Sequence, residues 1–325
     1  MASPPVGRGR RRGDRRFPGN RVLLALAGVG VALLSITAVL AGQAKKPATI
    51  GSRPVLKFAV VSFYNPRLMY LKYQPLVDYL GAHTPWHFEL DLSPSYRETV
   101  IRLCAGRVQL AYLGPFSYVR AREMCKVKPV VQLKSEGRTT YTSYIMVRED
   151  SPIHSLAQLR GQTFAYGAVL STSSHLMPRY MLRQAGLESG RDVKCRYYGH
   201  HERAARAVLT GEAAACGVRD LVGDQFNGRG LRILAKSEPM TNFPLVVGPG
   251  VPPGLEAALT EALIALPRRD PKAAREIASW DPELSGGFAD VSADAYQPIA
   301  DLARRLFGPK ALTASPDDLT CGPGR

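Results

Sequence analysis

Apolar segments alternate with polar turns along most of the chain after residue 54. The near-continuous apolar run Val55–Val61 predicts a buried strand, and a segment with helical periodicity follows it. This order repeats up to Cys125 and restarts after the longer apolar segment Tyr141–Val147. The predicted strands are 55–61, 87–92, 108–112, 141–147, 163–166, 193–198, 214–218, 231–235 and 245–247. The predicted helices are 70–80, 96–105, 116–125, 155–160, one from 173, 202–210, 255–266, 271–279 and 293–306.

Alternation of strand and helix is typical of parallel sheets that are covered on both faces, so the sequence predicts the α/β class. The restart of the pattern divides it into two units, and 325 residues are enough for two domains. The polar turns follow the carboxyl ends of strands, where open α/β sheets bind ligands. We therefore expect ligand binding in a cleft between the two units.

The amino terminus predicts export. Residues 1–21 are rich in arginine and form a basic, cytoplasmic n-region, and residues 22–42 are uncharged and mostly apolar. As a helix the apolar segment would be about 31 Å long, enough to cross a bilayer. It is predicted to be a signal peptide or an uncleaved membrane anchor, followed by a linker over 43–53. Both alternatives place the body on the periplasmic side of the inner membrane.

The formal net charge is +16, and seven arginines and one aspartate precede Val22. The remainder keeps 36 basic and 26 acidic residues, a net charge of about +10. A basic body can attract nucleic acid, an anionic membrane surface or small anions. No patch of interleaved basic and aromatic residues and no nucleic-acid-binding motif occurs, so a nucleic-acid partner is not expected.

Hydroxyl residues mark the turn after the predicted strand 163–166. Ser171, Thr172 and Ser173 stand there, and Pro178 suits the first turn of the helix that follows. One of them can cap the helix, which alone would explain a single serine. Three in a row, together with the free N–H groups of a helix start, favour a site that binds an oxyanion.

Catalytic and metal motifs are absent from the sequence: it has no G-x-S-x-G elbow and no Walker A loop, and His200–His201 lacks the second histidine of a metalloprotease helix. We expect no enzyme activity, no metal and no cofactor. Five cysteines occur without C-x-x-C spacing. Cys104 and Cys125 are predicted to form a disulfide, because they end successive helices that flank one strand. Cys195 and Cys216 would be separated by another strand.

Four segments resemble the phosphate, phosphite and phosphonate substrate-binding proteins of ABC importers. They are Ala111–Tyr118, Ser155–Gly161, Ser171–Ser173 with Leu176 and Pro178, and Gly199–Glu202. Their order and spacing extend the resemblance over about residues 55–306. It implies the two-lobed periplasmic-binding-protein fold (type II), with two doubly wound sheets joined by two crossover strands at 141–147 and 231–242. Lobe 1 would comprise 54–145 and 241–312, lobe 2 would comprise 146–240, and 313–325 would be a flexible tail.

By this resemblance Ser171, Thr172 and Ser173 match the oxyanion-binding hydroxyls, and His201 matches a motif histidine. Tyr64 and Tyr118 would lie where lobe 1 closes over the ligand, although each could be a packing aromatic.

The chain also departs from the family. Members that bind an aminoalkylphosphonate surround the ammonium group with carboxylates, and this chain has Asn242–Phe243 at one such place. Gly211–Ala215 also differs from the usual Gly-x-x-Asp-Ala. Asp220 is a further candidate ligand residue, although Arg219 and Asp220 fit an ordinary surface ion pair at a helix start.

The leading hypothesis is a periplasmic or membrane-anchored protein that captures a phosphate-like oxyanion for an ABC permease and ATPase. One alternative is an anchored sensory or regulatory module that a signalling partner reads. Another is a carrier of a larger apolar ligand, which the aromatic residues Phe63, Tyr64, Phe116 and Tyr118 would favour.

Overall fold

The computed structural model describes residues 53–321. The predicted n-region 1–21 and the predicted signal peptide or anchor 22–42 lie outside this range, as do residues 322–325. Within it, no helix is both long and apolar enough to cross a membrane.

Thirteen strands are present in the described range. They are β1 Val55–Val60, β2 His87–Asp91, β3 Leu110–Tyr112, β4 Lys128–Leu133, β5 Thr140–Tyr141, β6 Ser143–Arg148, β7 Thr163–Tyr166, β8 Lys194–Tyr197, β9 Ala215–Arg219, β10 Leu231–Lys236, β11 Met240–Thr241, β12 Pro244–Val247 and β13 Phe288–Ala289.

The α-helices are α1 Pro66–His83, α2 Tyr96–Cys104, α3 Pro115–Cys125, α4 Met177–Gln184, α5 His201–Leu209, α6 Asp220–Phe226, α7 Leu255–Thr260, α8 Leu266–Arg269, α9 Pro271–Ala278 and α10 Gln297–Phe307. Short 3₁₀ helices occur at Leu156–Leu159, Ala293–Tyr296 and Pro316–Leu319, and π-helical turns occur at Thr172–Leu176 and Glu261–Ala265.

The first lobe contains a six-stranded sheet in the order β13-β4-β12-β3-β1-β2. β1 pairs in parallel with β2 and β3, whereas β12 and β13 run antiparallel to their neighbours. The internal strand β1, between β3 and β2, is buried at Phe58, Ala59 and Val60. These buried apolar residues are consistent with a strand that is covered on both faces, as predicted.

The second lobe contains a five-stranded sheet in the order β10-β6-β9-β7-β8. β7 pairs in parallel with β8 and β9, while β6 and β10 are antiparallel. The carboxyl ends of β7 and β9 lead to the hydroxyl segment and to Arg219, respectively. Because the two strands are parallel, these segments emerge at the same edge of the sheet.

Two short strands connect the lobes. β5 and β11 pair antiparallel, with Met240 opposite Tyr141 and Thr241 opposite Thr140. The sequence predicts one continuous strand over 141–147, but the chain leaves strand geometry at Thr142 and enters the second lobe as β6. The fold is thus a two-lobed α/β structure with a pair of crossover strands.

The start of α1 and the carboxyl-terminal segment differ from the prediction. α1 begins at Pro66 rather than at Tyr70, because the Asn65 side chain accepts the backbone N–H of Leu68 and caps the helix. Residues 313–321 form no loose tail: Leu319 is buried, and Cys321 is bonded to Cys195.

A second disulfide joins Cys104 and Cys125, the pair put forward from the sequence. Cys216 is buried with a free thiol, and it lies on β9, separated from Cys195 on β8 by β7. Burial raises the pKa of this thiol to about 12, so it stays protonated and unreactive in the folded protein.

Candidate functional site

Thr172 and Ser173 begin a π-helical turn at the cleft between the lobes, Ser171 directly precedes it, and all three residues are buried. Ser171 is the N-cap, and its oxygen accepts the backbone N–H of Ser174 at 3.1 Å. The hydroxyls of Tyr96 and Tyr141 lie beside them. Burial raises the pKa of both tyrosines, and the adjacent hydroxyls, Ser171 for Tyr96 and Thr172 and Ser173 for Tyr141, oppose part of this rise. These five residues are called the hydroxyl cluster below.

The fourth hydroxyl of the run, Ser174, has a structural role. Its oxygen accepts the backbone N–H of Gly167 at 2.7 Å, and its proton is donated to the carbonyl of Gly217 at 2.7 Å. A Cβ atom on Gly167 would collide with this oxygen, so glycine is required there. Ser174 therefore stabilises the turn, and its hydrogen-bonding capacity is used within the protein.

His201 lies at the start of α5 and is completely buried. Its Nδ1 accepts the backbone N–H of Arg219 at 3.1 Å, so the proton of the neutral ring is on Nε2. Nε2 lies 3.1 Å from Ser171 Oγ and 3.4 Å from the Tyr96 hydroxyl. Burial, and to a smaller extent the neighbouring Arg219 cation, lower the pKa of His201 to about 3, so the ring stays neutral at physiological pH.

The protein occupies the acceptor side of the cluster. Ser171 Oγ accepts from Ser174 N–H and from His201 Nε2–H, and Thr172 Oγ1 accepts the N–H of Phe116 at 2.8 Å. The protons of these two hydroxyls are left to donate. Ser173 Oγ and the Tyr141 hydroxyl are buried with no hydrogen-bond partner in the part of the chain that the structure describes. The arrangement can therefore donate several hydrogen bonds to one acceptor.

Both lobes contribute to this site. Phe116 is the second residue of α3 in the first lobe, and its N–H reaches Thr172 of the second lobe. Ser117 donates to the carbonyl of Leu170 at 3.0 Å, and Gln225 donates to the Tyr64 hydroxyl at 3.5 Å. The lobes are thus in direct contact around the hydroxyl cluster.

Tyr64 lies at this lobe boundary and is buried. The ammonium group of Lys72 lies 4.9 Å from the centre of its ring. Burial raises the pKa of Tyr64, which keeps the hydroxyl protonated and able to donate.

Tyr118 is placed elsewhere, contrary to the expectation that it closes over the ligand. Its ring packs edge to face on Tyr296 of the first lobe, with 4.7 Å between ring centres. α3 begins at Pro115, so the side chains of Phe116 and Tyr118 project about 200° apart around the helix. The backbone N–H of Phe116 faces the second lobe, whereas the side chain of Tyr118 lies in the core of the first lobe.

Asp220 is bonded to the crossover backbone rather than to the hydroxyl cluster. Its Oδ2 accepts the backbone N–H of Thr142 at 2.8 Å, and its Oδ1 accepts the N–H of Leu221 at 2.9 Å. It lines a cavity of ≈ 600 Å³ together with Tyr144 and Asp224. Both of its oxygens already have protein donors.

Arg219 is the site residue that sequence reasoning missed. The surface ion pair expected for Arg219 and Asp220 is wrong, because Arg219 is only 1% exposed. It ends the buried strand β9 in the cleft, and its Nη1 donates to Glu283 of the first lobe at 2.7 Å. The signal available in the sequence was its position directly after a buried strand, at the sheet edge where ligands bind.

Asn242, which stands where some family members carry a carboxylate, is also fully buried. Its Nδ2 donates to Ser135 at 3.2 Å and its Oδ1 accepts the backbone N–H of Phe243. It is committed to the crossover structure. Among residues 53–321, no three potential metal ligands come together.

The comparisons with known proteins agree on one family. Residues 58–296 match the profile described as "ABC transporter, phosphonate, periplasmic substrate-binding protein". The chain is 28% identical over 203 residues to the phosphate-import protein PhnD of Mycolicibacterium smegmatis, covering 59% of this chain and 63% of that protein. It is 25% identical over 158 residues to the phosphonates-binding periplasmic protein of Escherichia coli, covering 47% of each. The chain thus spans less than two thirds of the length of these curated relatives.

A solved structure with the same fold is PhnD1 from Prochlorococcus marinus in complex with methylphosphonate. Its TM-score is 0.71 at 19% sequence identity, over 79% of this chain and 100% of that one. At this identity the similarity establishes the two-lobed fold.

Proposed function

Since this chain belongs to the family of periplasmic substrate-binding proteins of phosphonate ABC transporters, we propose that it captures a phosphate-like oxyanion in the cleft between its lobes. The ligand is phosphite, a phosphonate or phosphate, and the protein delivers it to an ABC permease and its ATPase. The family consists of transport proteins, not of enzymes. The serine and threonine hydroxyls act as hydrogen-bond donors.

The proposal depends on one observation. Protein N–H groups donate to the oxygens of the cluster, whereas the hydroxyl protons of the cluster remain available for a ligand. His201 and Ser174 saturate Ser171 Oγ, Phe116 N–H binds Thr172, and Ser173 and Tyr141 have no described protein partner. Buried polar groups are nearly always hydrogen-bonded, so unpartnered ones indicate a ligand. The unprotonated oxygens of a phosphate-like oxyanion are strong acceptors and match this set of donors.

The geometry also favours an anion without an amine. A buried ammonium group needs a carboxylate, and the three candidate side chains are all engaged by the protein. Glu283 pairs with Arg219, Asp220 accepts from Thr142 and Leu221, and Asn242 is neutral and bonded to Ser135. Arg219 would in addition repel the ligand's cation.

The two disulfides support a location outside the cytoplasm, because such bonds persist in oxidising compartments. We place the body on the periplasmic side of the inner membrane. It is anchored there if residues 22–42 are retained, and released if they are cleaved.

The test is a thermal-shift screen of the full-length chain with phosphate, phosphite, methylphosphonate, aminoethylphosphonate and a fatty acid. The proposal predicts stabilisation by at least one of the first three, because a ligand that binds the folded state raises the unfolding temperature. Stabilisation by the fatty acid alone would contradict it and favour an apolar ligand.

A further inference from the structure

Arg219 is a cation held in an aromatic cage at the centre of the cleft. Its guanidinium carbon lies 4.5 Å from the ring centre of Phe243, 5.2 Å from that of Tyr141 and 5.8 Å from that of Phe63. Such contacts stabilise a cation and fix its position. Arginine stays protonated at any physiological pH, so this guanidinium carries a permanent positive charge.

The counter-ion of Arg219 comes from the opposite lobe. Glu283 is 3% exposed, and its Oε1 accepts from Arg219 Nη1 at 2.7 Å and from the Tyr112 hydroxyl at 3.3 Å. Burial alone would lower the pKa of Arg219, but the neighbouring Glu283 carboxylate raises it above its ordinary value. The pair is therefore charged, and it exists when the two lobes are together.

Half of the guanidinium is left without a partner. Nε and Nη2 are buried and form no hydrogen bond within the described residues. Oδ1 of Asp220 lies 3.7 Å from Nε, beyond hydrogen-bond distance, and already accepts from Leu221. Nε and Nη2 share one edge of the planar group, the edge that binds a carboxylate or phosphate with two parallel hydrogen bonds.

This edge belongs to the same site as the hydroxyl cluster. The Arg219 side chain lies against the ring of Tyr141, whose hydroxyl is beside Thr172 and Ser173. The Arg219 backbone binds His201, which in turn contacts Ser171. The unpartnered donors of Arg219, Tyr141 and Ser173 are therefore neighbours.

We propose that Arg219 is the charge-selecting residue of the cleft. Because of it, the cleft binds a doubly charged phosphoryl group more tightly than a singly charged anion of the same shape. This inference rests on the proposed function and names the ligand class more narrowly. The hydroxyls donate equally well to the oxygens of a sulfonate or a phosphonate. Attraction to the fixed cation, in contrast, grows with the ligand's charge.

The test compares methylphosphonate with methanesulfonate, which have the same shape and differ in charge once the phosphonate has lost its second proton. Both are titrated calorimetrically at pH 8.5 into the full-length chain. The wild type is expected to bind methylphosphonate at least tenfold more tightly. R219Q should bring the ratio of the two dissociation constants close to one, and R219K should keep the preference while weakening both affinities, because lysine has no paired edge.

R219Q leaves Glu283 buried without its partner, so the variant R219Q/E283Q is tested beside it. This variant keeps a hydrogen-bonding pair and removes both charges, and it should also lose the preference. Ser117→Ala is the matched control, since it removes an interlobe hydrogen bond without changing charge, and its ratio should equal that of the wild type. If R219Q and R219Q/E283Q both keep the wild-type ratio of dissociation constants, the inference is wrong, but the proposed function is unaffected. Failure of the wild type to bind any phosphoryl anion overturns the proposed function itself.

Discussion

The backbone N–H of Arg219 donates to Nδ1 of His201 at 3.1 Å, and this contact determines which nitrogen of a buried imidazole carries the proton. Nε2 is left to donate to Ser171 Oγ, 3.1 Å away, so the serine proton remains for a ligand. A backbone group of one strand end thereby sets the hydrogen-bond direction of the hydroxyl cluster.

Acid should destabilise the protein through its buried histidines. Burial lowers the pKa of both His201 and His175 from 6.5 to about 3. As the pH falls, the unfolded state therefore takes up protons before the folded state does. The contribution of the neutral histidines to the free energy of unfolding is fully present above pH 6.5 and is lost between pH 6.5 and 3. At pH 5 the loss is about 2 kcal/mol per histidine.

Urea unfolding at pH 7.5, 6 and 5 measures this loss. In His201→Asn, whose amide can replace both hydrogen bonds of the ring, the dependence on pH should be clearly smaller than in the wild type. An unchanged dependence in this variant would show that His201 titrates normally.

Removing the hydroxyls of the cluster should weaken anion binding far more than folding. Ser173 Oγ has no described protein partner, so Ser173→Ala is expected to cost about 1–3 kcal/mol of binding free energy with little change in stability. Thr172→Ala should cost a similar amount in binding, and it also removes the acceptor of Phe116 N–H.

Calorimetric titration of methylphosphonate and urea unfolding together separate the two effects. Thr84→Ala is the control, because its hydroxyl is also buried but donates to the carbonyl of Leu80 within the first lobe. If the double variant of Thr172 and Ser173 bound methylphosphonate as tightly as the wild type, these hydroxyls would not be the anion site.

Aminoethylphosphonate should bind at least tenfold more weakly than methylphosphonate, a difference of about 1.4 kcal/mol. The reason is that Glu283 and Asp220 are already engaged, and Arg219 repels the ammonium group. Competitive titration measures the ratio directly. Equal affinities would contradict the prediction, and loss of aminoethylphosphonate binding in Asp220→Asn would then identify the carboxylate responsible.

The carboxyl-terminal segment should hold the two lobes together. Arg120 of α3 donates to the carbonyls of Ala311 and Ala314, and the disulfide from Cys321 reaches Cys195 on β8 of the second lobe. The segment is thus a covalent link between the lobes in addition to the crossover strands β5 and β11. Replacing both cysteines by serine should lower the unfolding free energy by about 2–4 kcal/mol.

Alkylation of the native, non-reduced protein followed by peptide mapping checks this bond. Cys195 and Cys321 should resist the reagent as a disulfide, and Cys216 should react only after denaturation, because it is buried with a raised pKa. Free thiols at Cys195 and Cys321 in the native protein would refute the covalent link.

The order of elements and the hydroxyl turn could be predicted from the sequence because both depend on local pattern. Ser171 to Ser173 follow a buried strand and start a helix, a context that short-range rules describe. Which hydroxyl of the run faces the cleft could not be predicted, since Ser174 is turned away by contacts to Gly167 and Gly217, residues set by the tertiary fold.

Long-range contacts explain the other differences. The sequence favours a surface position for Arg219, because its counter-ion, Glu283, lies 64 positions away on the other lobe and no local pattern joins the two. Cys321 was placed in a flexible tail, although its partner is 126 positions earlier. The family resemblance implies a place at the cleft for Tyr118, whereas its ring packs on Tyr296, and this choice between cleft and core depends on tertiary packing. No periodicity in the sequence contains this information.

Binding of methylphosphonate to the full-length wild-type chain, measured by isothermal titration calorimetry, tests the central claim most directly. We expect saturable binding of one anion per chain, which the double variant Thr172→Ala/Ser173→Ala loses or strongly weakens while remaining folded. If neither methylphosphonate, phosphite nor phosphate binds the folded wild type, the cleft is not an oxyanion site.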